Sequence, residues 1–449
     1  MRNPAFQLNQ DFLQQLHERI AGGKELIVPN SALSELFLRG AVPSREHLAL
    51  LVEVAHWASL STEEGHAPVS SIILRQPDNS ADTFHFDSPL DFTAHTLSKL
   101  APALEFPQAD IGVWPDESGQ LKIWGFSAFA YETTIKSDLW VQILGPGRVL
   151  IMYSGRTIAA LTANRAVFVD SRSFLHTIMP KIAAQAQKTE ISLLNLFRYN
   201  SILKIAQRMR LHGRGGTLLV VPEDMDWKKS ITTPIKYTGG ASFLDVESMM
   251  LPPSRTELAD SDNLLRLVKE LNLAPKKDWL RNWQQVQQQC ARIARLTAVD
   301  GALVMTFDRY VYCFGAKIEA IDTRSIATTL RVIEPFADQE PRERPFTSLG
   351  GTRHISAAQF VYDQPGAISV VASQDGNVTF FTRDADSGAI LAVQQAEMAL
   401  LHEGLGGSLW NLTLFSEMGW LEKGVSKNEK GYLAGVVRWM RGAFAGRGQ

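Results

Sequence analysis

The sequence predicts an α/β protein in which an α+β segment precedes a second segment built around a mixed sheet. The chain has 449 residues, and a typical domain of ~150 residues suggests two or three domains. Hydrophobic residues make up 45% and charged residues 20%, which excludes disordered, collagenous and coiled-coil classes. The hydrophobic period changes from helical to strand spacing more than once, which indicates that both kinds of element share the chain.

The first segment, residues 1–175, is predicted to be the α+β domain. Phe12, Leu13, Leu16 and Ile20 recur at spacings of three and four, and the stretch 38–60 repeats this helical signal. From about residue 68 the pattern becomes short β-branched or aromatic runs separated by Asp, Gly, Pro and Ser. Such runs with turn residues between them are typical of strands.

A connector helix is predicted over residues 176–213, with Gly213 just beyond its end. Its apolar seam consists of Leu193, Leu196, Ile202 and Ile205. A stripe of this kind is more often a packed face than a binding surface.

The segment 214–400 is predicted to be the mixed-sheet α/β domain. The buried-strand run GGTLLVV at 215–221 is followed by a helical segment at 263–297, and then by the strand pair VDGALVMTF and YVYCFGAKI. A Gly-rich turn enters a helix at 350–360, and a last strand pair follows. This succession of strands and helices is a mixed α/β layout.

The C-terminal residues 401–449 are predicted to be a helical tail. One face carries Leu433, Val436, Val437 and Met440, which could touch a membrane surface. The stretch is short and rich in glycine, so we favour a docking or oligomer-contact role.

Composition excludes several classes of protein. The formal net charge is −2, which gives no electrostatic reason to bind nucleic acid. The two cysteines, Cys290 and Cys313, cannot build a disulfide framework or a four-cysteine zinc site and are interpreted as core or semi-buried thiols. The N-terminus lacks the apolar stretch of a signal peptide, and no apolar run approaches the ~20 residues of a transmembrane span. We therefore expect a cytoplasmic protein.

Two short motifs carry candidate chemistry. The tripeptide Asp300-Gly301-Ala302 is weak evidence in isolation, because it occurs by chance in a sizeable minority of chains of this length and a strand start after a turn explains it. The turn Gly350-Gly351-Thr352-Arg353-His354 enters a predicted helix, where backbone N–H groups and the helix dipole favour an anion. That pattern describes a phosphate cradle, and an ordinary loop capped by Thr352 is its equal alternative.

The order of these motifs resembles that of the diadenylate cyclase (DAC) domain family. GGTLLVV, DGA, GGTRH and a Val-rich strand ending in Ser373 follow one another over roughly 200–385. In that family the signatures are a DGA motif, a G-T-R-H-R motif and a Val/Ile-rich strand ending in Ser. The N-terminal part, with IWGF at 123–126 and LGPGRVLIM at 144–152, resembles the DACNV sensor domains that precede DAC domains.

The resemblance implies a nucleotidyltransferase that condenses two ATP molecules into the second messenger cyclic di-AMP under control of the sensor domain. Such in-line transfer implies Mg or Mn as the metal. The catalytic residues implied are Asp300, Arg353 and His354, with Asp300 and His354 as metal ligands. The nucleotide-binding residues implied are Gly301, Ala302, Leu303, Gly351, Thr352 and Ser373; for Leu303, core packing is the stronger interpretation. Since each site of the family holds one ATP, the resemblance also implies a homo-oligomer with face-to-face DAC domains.

One position departs from the family pattern. Ile355 stands where the family has a second arginine, and this loss removes a bidentate phosphate ligand. It favours the alternative of a degenerate DAC-like domain that senses a nucleotide or acts as an assembly module. If the chain is an enzyme, a cation from the long segment before the motif could compensate, and Lys317, Arg324, Arg342 and Arg344 are candidates. The charged stretch 337–346 in that segment is interpreted either as an insertion that gates or mediates the dimer contact, or as a solvated loop.

Overall fold

A computed structural model of the chain describes residues 8–22, 41–62, 69–78, 83–104, 109–128, 138–153, 156–162, 165–170, 177–178, 193–223, 225–232, 234–242, 277–307, 310–321, 329–337, 339–384 and 386–399. The described residues up to 169 form one compact unit, and those from 170 form a second. The predicted tail at 401–449 lies outside the described residues.

The first unit contains helices and strands in the predicted α+β order. Its helices α1–α3 are Gln10–Gly22, Arg45–Leu60 and Ala94–Leu100. Its strands β1–β8 are Ser70–Leu74, Thr83–Asp91, Ala109–Pro115, Leu121–Ala128, Leu139–Gly145, Arg148–Tyr153, Arg156–Thr162 and Arg165–Phe168.

The eight strands form one mixed sheet in the order β2-β4-β3-β1-β5-β6-β7-β8. β1 and β3 run parallel, and each of the other described pairs is antiparallel. Helix α2 packs on β5 and β6, and α1 packs on α2 and β7. The predicted apolar face of α1, Phe12, Leu13, Leu16 and Ile20, is buried in this core.

A row of buried polar side chains crosses the middle of this sheet. Asp110 pairs with Ser127, and Ser71 pairs with Gln142, on strands that are neighbours through β1 and β3. All four side chains are buried. Their neighbours Ile72 and Ile111 belong to the apolar core beneath the helices, so strand alternation places the polar row on the opposite face.

The second unit is the mixed α/β domain. Its helices α4–α6 are Leu193–Leu211, Lys277–Leu296 and Thr352–Asp363. Its strands β9–β18 are Gly216–Val221, Ile231–Thr232, Ile235–Ser242, Ala302–Thr306, Tyr310–Ile318, Thr329–Ile333, Arg342–Pro345, Ile368–Ala372, Val378–Arg383 and Ile390–Val393.

These ten strands form one sheet in the order β10-β13-β12-β9-β16-β17-β18-β14-β15, with β11 also paired to β13. β12 runs parallel to β9, and β16 runs antiparallel to it. Helix α6 packs on β16 and β17, because its apolar residues Ala357, Ala358, Phe360 and Val361 are buried against the sheet. Helix α4 packs along α5 and contacts β16.

Several local predictions are confirmed in this unit. Ile202 and Ile205 of the helical seam are completely buried, and both cysteines are buried free thiols. The charged stretch 337–346 contains β15, an exposed strand at the edge of the sheet, so it is not simply a loop. Among the helices that the structure describes, none combines the length and apolar character that crossing a membrane requires.

Candidate functional site

The register of three central strands brings the sequence motifs to one edge of the second sheet. Ala302 at the start of β12 pairs with Thr217 near the start of β9. Ala372 at the end of β16 pairs with Gly216. Since β12 is parallel and β16 antiparallel to β9, the beginnings of β9 and β12 meet the end of β16. Asp300, Gly215 and Ser373 therefore lie at the same edge.

The Asp-Gly-Ala motif is held by close contact between two glycines. Gly301 has φ +106°, and a Cβ there would lie 2.5 Å from the carbonyl carbon of Gly315 in β13. Gly315 also has a positive φ and approaches the carbonyl oxygen of Asp300. This close approach requires glycine, and it leaves the Asp300 side chain exposed at the sheet edge.

The Gly-rich segment leads directly into helix α6, and no side chain caps the first turn of that helix. Gly350 has φ +82°, and the N-cap residue Gly351 supplies only its carbonyl oxygen, which accepts from the N–H groups of His354 and Ile355. Thr352 is the first helical residue rather than the cap, so the predicted alternative of a capping Thr is wrong. An uncapped first turn presents its N–H groups and the positive end of the helix dipole to an anion.

Arg353 points from α6 onto the start of β9. Its guanidinium nitrogen Nη1 lies 2.6 Å from the point where a Cβ of Gly215 would be, and the carbonyl oxygen of Ala372 lies 3.2 Å from that point. Gly215 also has φ +70°. The position needs glycine for conformation and for space, and Arg353 thereby reaches the shared edge.

His354 is partly buried and lies against β17. Its ring meets Phe381 edge-on, with centroids 6.1 Å apart. Burial lowers the pKa of His354, and the negative charge of Asp375 opposes that shift. A lowered pKa favours the neutral imidazole, the form that can coordinate a metal ion.

Ser373 begins a tight turn between β16 and β17. Its backbone N–H and its hydroxyl both donate to the carbonyl of Asn377, at 2.9 and 3.1 Å. The amide of Asn377 donates to the Asp375 carboxylate at 2.6 Å. The hydroxyl proton of Ser373 is thus used inside the turn, and contact with a phosphate would require the hydroxyl to rotate.

The remaining two predicted site residues are buried in the sheet. Ala302 belongs to the core beneath α6. Leu303 is also completely buried, but strand alternation turns it to the opposite face of the sheet. Its burial supports core packing as the role of Leu303.

The donor set suits a metal ion that shares its ligands with a substrate. Among the described residues, no three His, Cys, Asp or Glu side chains gather as a metal cluster. The exposed carboxylate of Asp300 is an oxygen donor of the kind that Mg or Mn prefers, whereas the imidazole of His354 is a nitrogen donor that other transition-metal ions prefer. With so few protein ligands, phosphate oxygens and water would have to complete the coordination.

The structure adds residues that the sequence motifs do not contain. Gly215 shapes the place of Arg353, the negative charge of Asp375 acts on His354, and His212 and Arg214 lie just before Gly215. In the sequence, Gly215 could have been found from the pair Gly215-Gly216 that precedes a buried strand. His212, Arg214 and Asp375 lie in turns, and their spacing in the sequence does not indicate a site.

Comparison with known proteins finds a match for part of the first unit. Residues 39–128 match the family described as "Probable sensor domain DACNV", which confirms the resemblance over the stretch that contains IWGF at 123–126. The second motif, LGPGRVLIM at 144–152, lies outside the matched residues. No curated protein matches the chain, and no solved structure does.

Proposed function

We propose that the second unit is a diadenylate cyclase domain whose activity responds to the N-terminal sensor domain. One observation carries this proposal: the sheet register and α6 bring Asp300, Arg353 and Ser373 to a single edge. The sensor family matched by residues 39–128 occurs in diadenylate cyclases, which supports the same reaction.

The proposed reaction joins two ATP molecules. The 3′-oxygen of each attacks the α-phosphorus of the other, the bond from that phosphorus to the β-phosphate oxygen breaks, and the hydroxyl proton is released. Two pyrophosphates leave for each cyclic di-AMP formed. Mg or Mn, when bound, would offset the charge that develops on the phosphate oxygens.

The residues of the chain have separate roles in this proposal. The uncapped first turn of α6 binds phosphate through Gly351 and Thr352, and the guanidinium of Arg353 orients it by charge-assisted hydrogen bonds. Asp300 and His354 would hold the metal ion. Because one cradle accommodates one nucleotide, the second ATP must come from a facing copy of the domain.

A second candidate function is binding without turnover. Ile355 supports it, because its side chain packs against the core beneath α6 and no arginine follows His354. A domain of this kind would retain ATP or a cyclic dinucleotide as a sensor or assembly module.

Product analysis distinguishes the two functions. The full chain is incubated with ATP and Mg or Mn, and cyclic di-AMP is measured by mass spectrometry. We expect product from the native chain and none from Asp300→Asn. Asp386→Asn is the matched control, because this exposed aspartate lies in the β17–β18 turn at the opposite edge of the sheet. ATP binding without any cyclic product from the native chain would establish the second function.

A further inference from the structure

A second arginine that belongs to no motif lies beside Arg353. Arg214 immediately precedes Gly215, the residue against which the Arg353 guanidinium packs. The positive charges of Arg214 and Arg353 both act on His212, together with burial, to lower its pKa. The Arg353 guanidinium packs on Gly215 and Arg214 directly precedes that glycine, so both arginines lie at the start of β9.

His212 holds the backbone of Arg214 in place. The N–H of Arg214 donates to Nδ1 of His212 at 3.2 Å. The opposite ring nitrogen, Nε2, lies 3.2 Å from Oγ1 of Thr297, whose hydroxyl donates to the carbonyl of Ala294 at 2.6 Å. With Nδ1 accepting, the ring proton lies on Nε2 and His212 is neutral.

The same threonine fixes the start of β9. A Cβ at Gly216 would lie 2.5 Å from Oγ1 of Thr297, so the strand can lie there only because residue 216 is glycine. The short segment from His212 to Gly216 is thus anchored to the end of α5. Arg214 is presented from a fixed backbone rather than from a free loop.

Neither arginine at this edge forms an ion pair with a residue that the structure describes. Among the described residues, no carboxylate lies within ion-pair distance of Arg214 or Arg353. Asp375 accepts a hydrogen bond from the side-chain amide of Asn377. Two like charges brought together repel unless an anion lies between them, and guanidinium groups bind phosphate oxygens with particular strength.

We propose that Arg214 is a phosphate-contacting residue which, with Arg353, binds the triphosphate of a nucleotide at the start of β9. Arg214 thereby supplies a second guanidinium, which the α6 motif lacks because Ile355 stands at the position of the family's second arginine. The identification of the phosphates as those of ATP rests on the proposed function, whereas the phosphate contact itself does not.

Binding measurements on the full chain test this residue without relying on turnover. Three probes are used, in this order: α,β-methylene-ATP, tripolyphosphate and adenosine. The first cannot release pyrophosphate, so its binding is measured without turnover. We expect Arg214→Gln to weaken the first two at least about tenfold, the low end for loss of one charge-assisted hydrogen bond. Adenosine binding should not change, and Arg214→Lys should restore part of the lost affinity for α,β-methylene-ATP.

The matched control is Arg331→Gln. Arg331 is an exposed arginine on β14, four strand spacings or roughly 19 Å from β9, and its substitution should leave the binding of all three probes unchanged. Equal affinities of the native chain and Arg214→Gln for both phosphate probes would overturn the inference, as would an equal loss for adenosine.

The two proposals can fail separately. If Arg214→Gln weakens phosphate binding but the native chain makes no cyclic dinucleotide from ATP, the inference stands and the proposed cyclase function fails. If the native chain binds neither phosphate probe, both proposals fail.

Discussion

At the scale of single residues, glycines decide where the charged side chains lie. Gly215 admits the Arg353 guanidinium, Gly216 admits Thr297, and Gly301 lies against Gly315. Each of these contacts is closer than a Cβ would allow. The position of the functional groups at this edge therefore depends on residues that have no side chain.

Gly215→Ala tests this dependence. A methyl group at 215 would displace the Arg353 guanidinium, so we expect a loss of nucleotide affinity together with a lower free energy of unfolding. Strain from the positive φ contributes about 1–2 kcal/mol, and the steric conflict adds about 1–3 kcal/mol. Titration with α,β-methylene-ATP and denaturant unfolding measure the two effects.

Gly213→Ala is the control for backbone strain. Gly213 has φ +65°, close to the +70° of Gly215, but nothing lies within 4 Å of the point that its added methyl group would occupy. This variant should lose only the stability that the strain costs and should retain full nucleotide affinity. Equal losses in the two variants would show that contact with Arg353 has no role.

At the scale of elements, α6 combines a packed face with an open N-terminus. Its apolar residues are buried against the sheet, and Ser369 donates to the carbonyl of Ala357 at 3.0 Å. Ile355 lies on the packed side of the helix, where it contacts the core. The helix is thus fixed by the sheet while Thr352 remains exposed.

Ile355→Arg should therefore fail to restore the family motif. The substitution brings a charge toward an apolar core, and we expect a loss of about 1–3 kcal/mol in the free energy of unfolding with no tighter nucleotide binding. Ile355→Leu, which conserves volume, should cost less than about 1.5 kcal/mol. Denaturant unfolding measures the stability of the two variants, and titration with α,β-methylene-ATP measures their nucleotide affinity. An Ile355→Arg chain that is fully stable and binds more tightly would contradict this account of the packing.

Three of the four cations predicted to compensate for Ile355 lie in the part of the chain that the structure describes. Lys317 lies near the end of β13, with its Nζ 4.0 Å from a carboxylate oxygen of Glu319. Arg342 and Arg344 lie on the exposed edge strand β15, and Arg324 lies outside the described residues. Arg214, by contrast, directly precedes Gly215, the residue against which the Arg353 guanidinium packs.

At the scale of the whole molecule, the proposed reaction needs two copies of the second unit. One phosphate cradle positions one nucleotide, whereas cyclic di-AMP contains two nucleotides. We expect the specific activity to rise with protein concentration until self-association is complete. Product assays over a dilution series, with light scattering on the same samples, measure both quantities. A constant specific activity from a chain that stays monomeric with ATP and metal would contradict the cyclase function.

The sequence alone predicted the order of elements with good accuracy. The apolar spacing of α1, the buried run before Pro222 and the Gly-rich turn before α6 are local signals, and each formed the expected element. The motif residues Asp300, Arg353 and Ser373 were selected from the sequence because the order of their motifs resembles one family, and the structure places them at one edge of the sheet. Local pattern and motif order are properties that a linear chain carries directly.

Only the tertiary structure decided which residues share the site. His212, Arg214 and Asp375 belong to no motif. His212 and Arg214 lie just before β9, and Asp375 lies in the β16–β17 turn, which reaches the same edge because β16 runs antiparallel to β9 and β17. Strand alternation directed Leu303 to the opposite face, and helix packing turned Ile355 to the core. Contacts of this kind depend on register and on packing between segments about 60 to 140 residues apart, which no local pattern specifies.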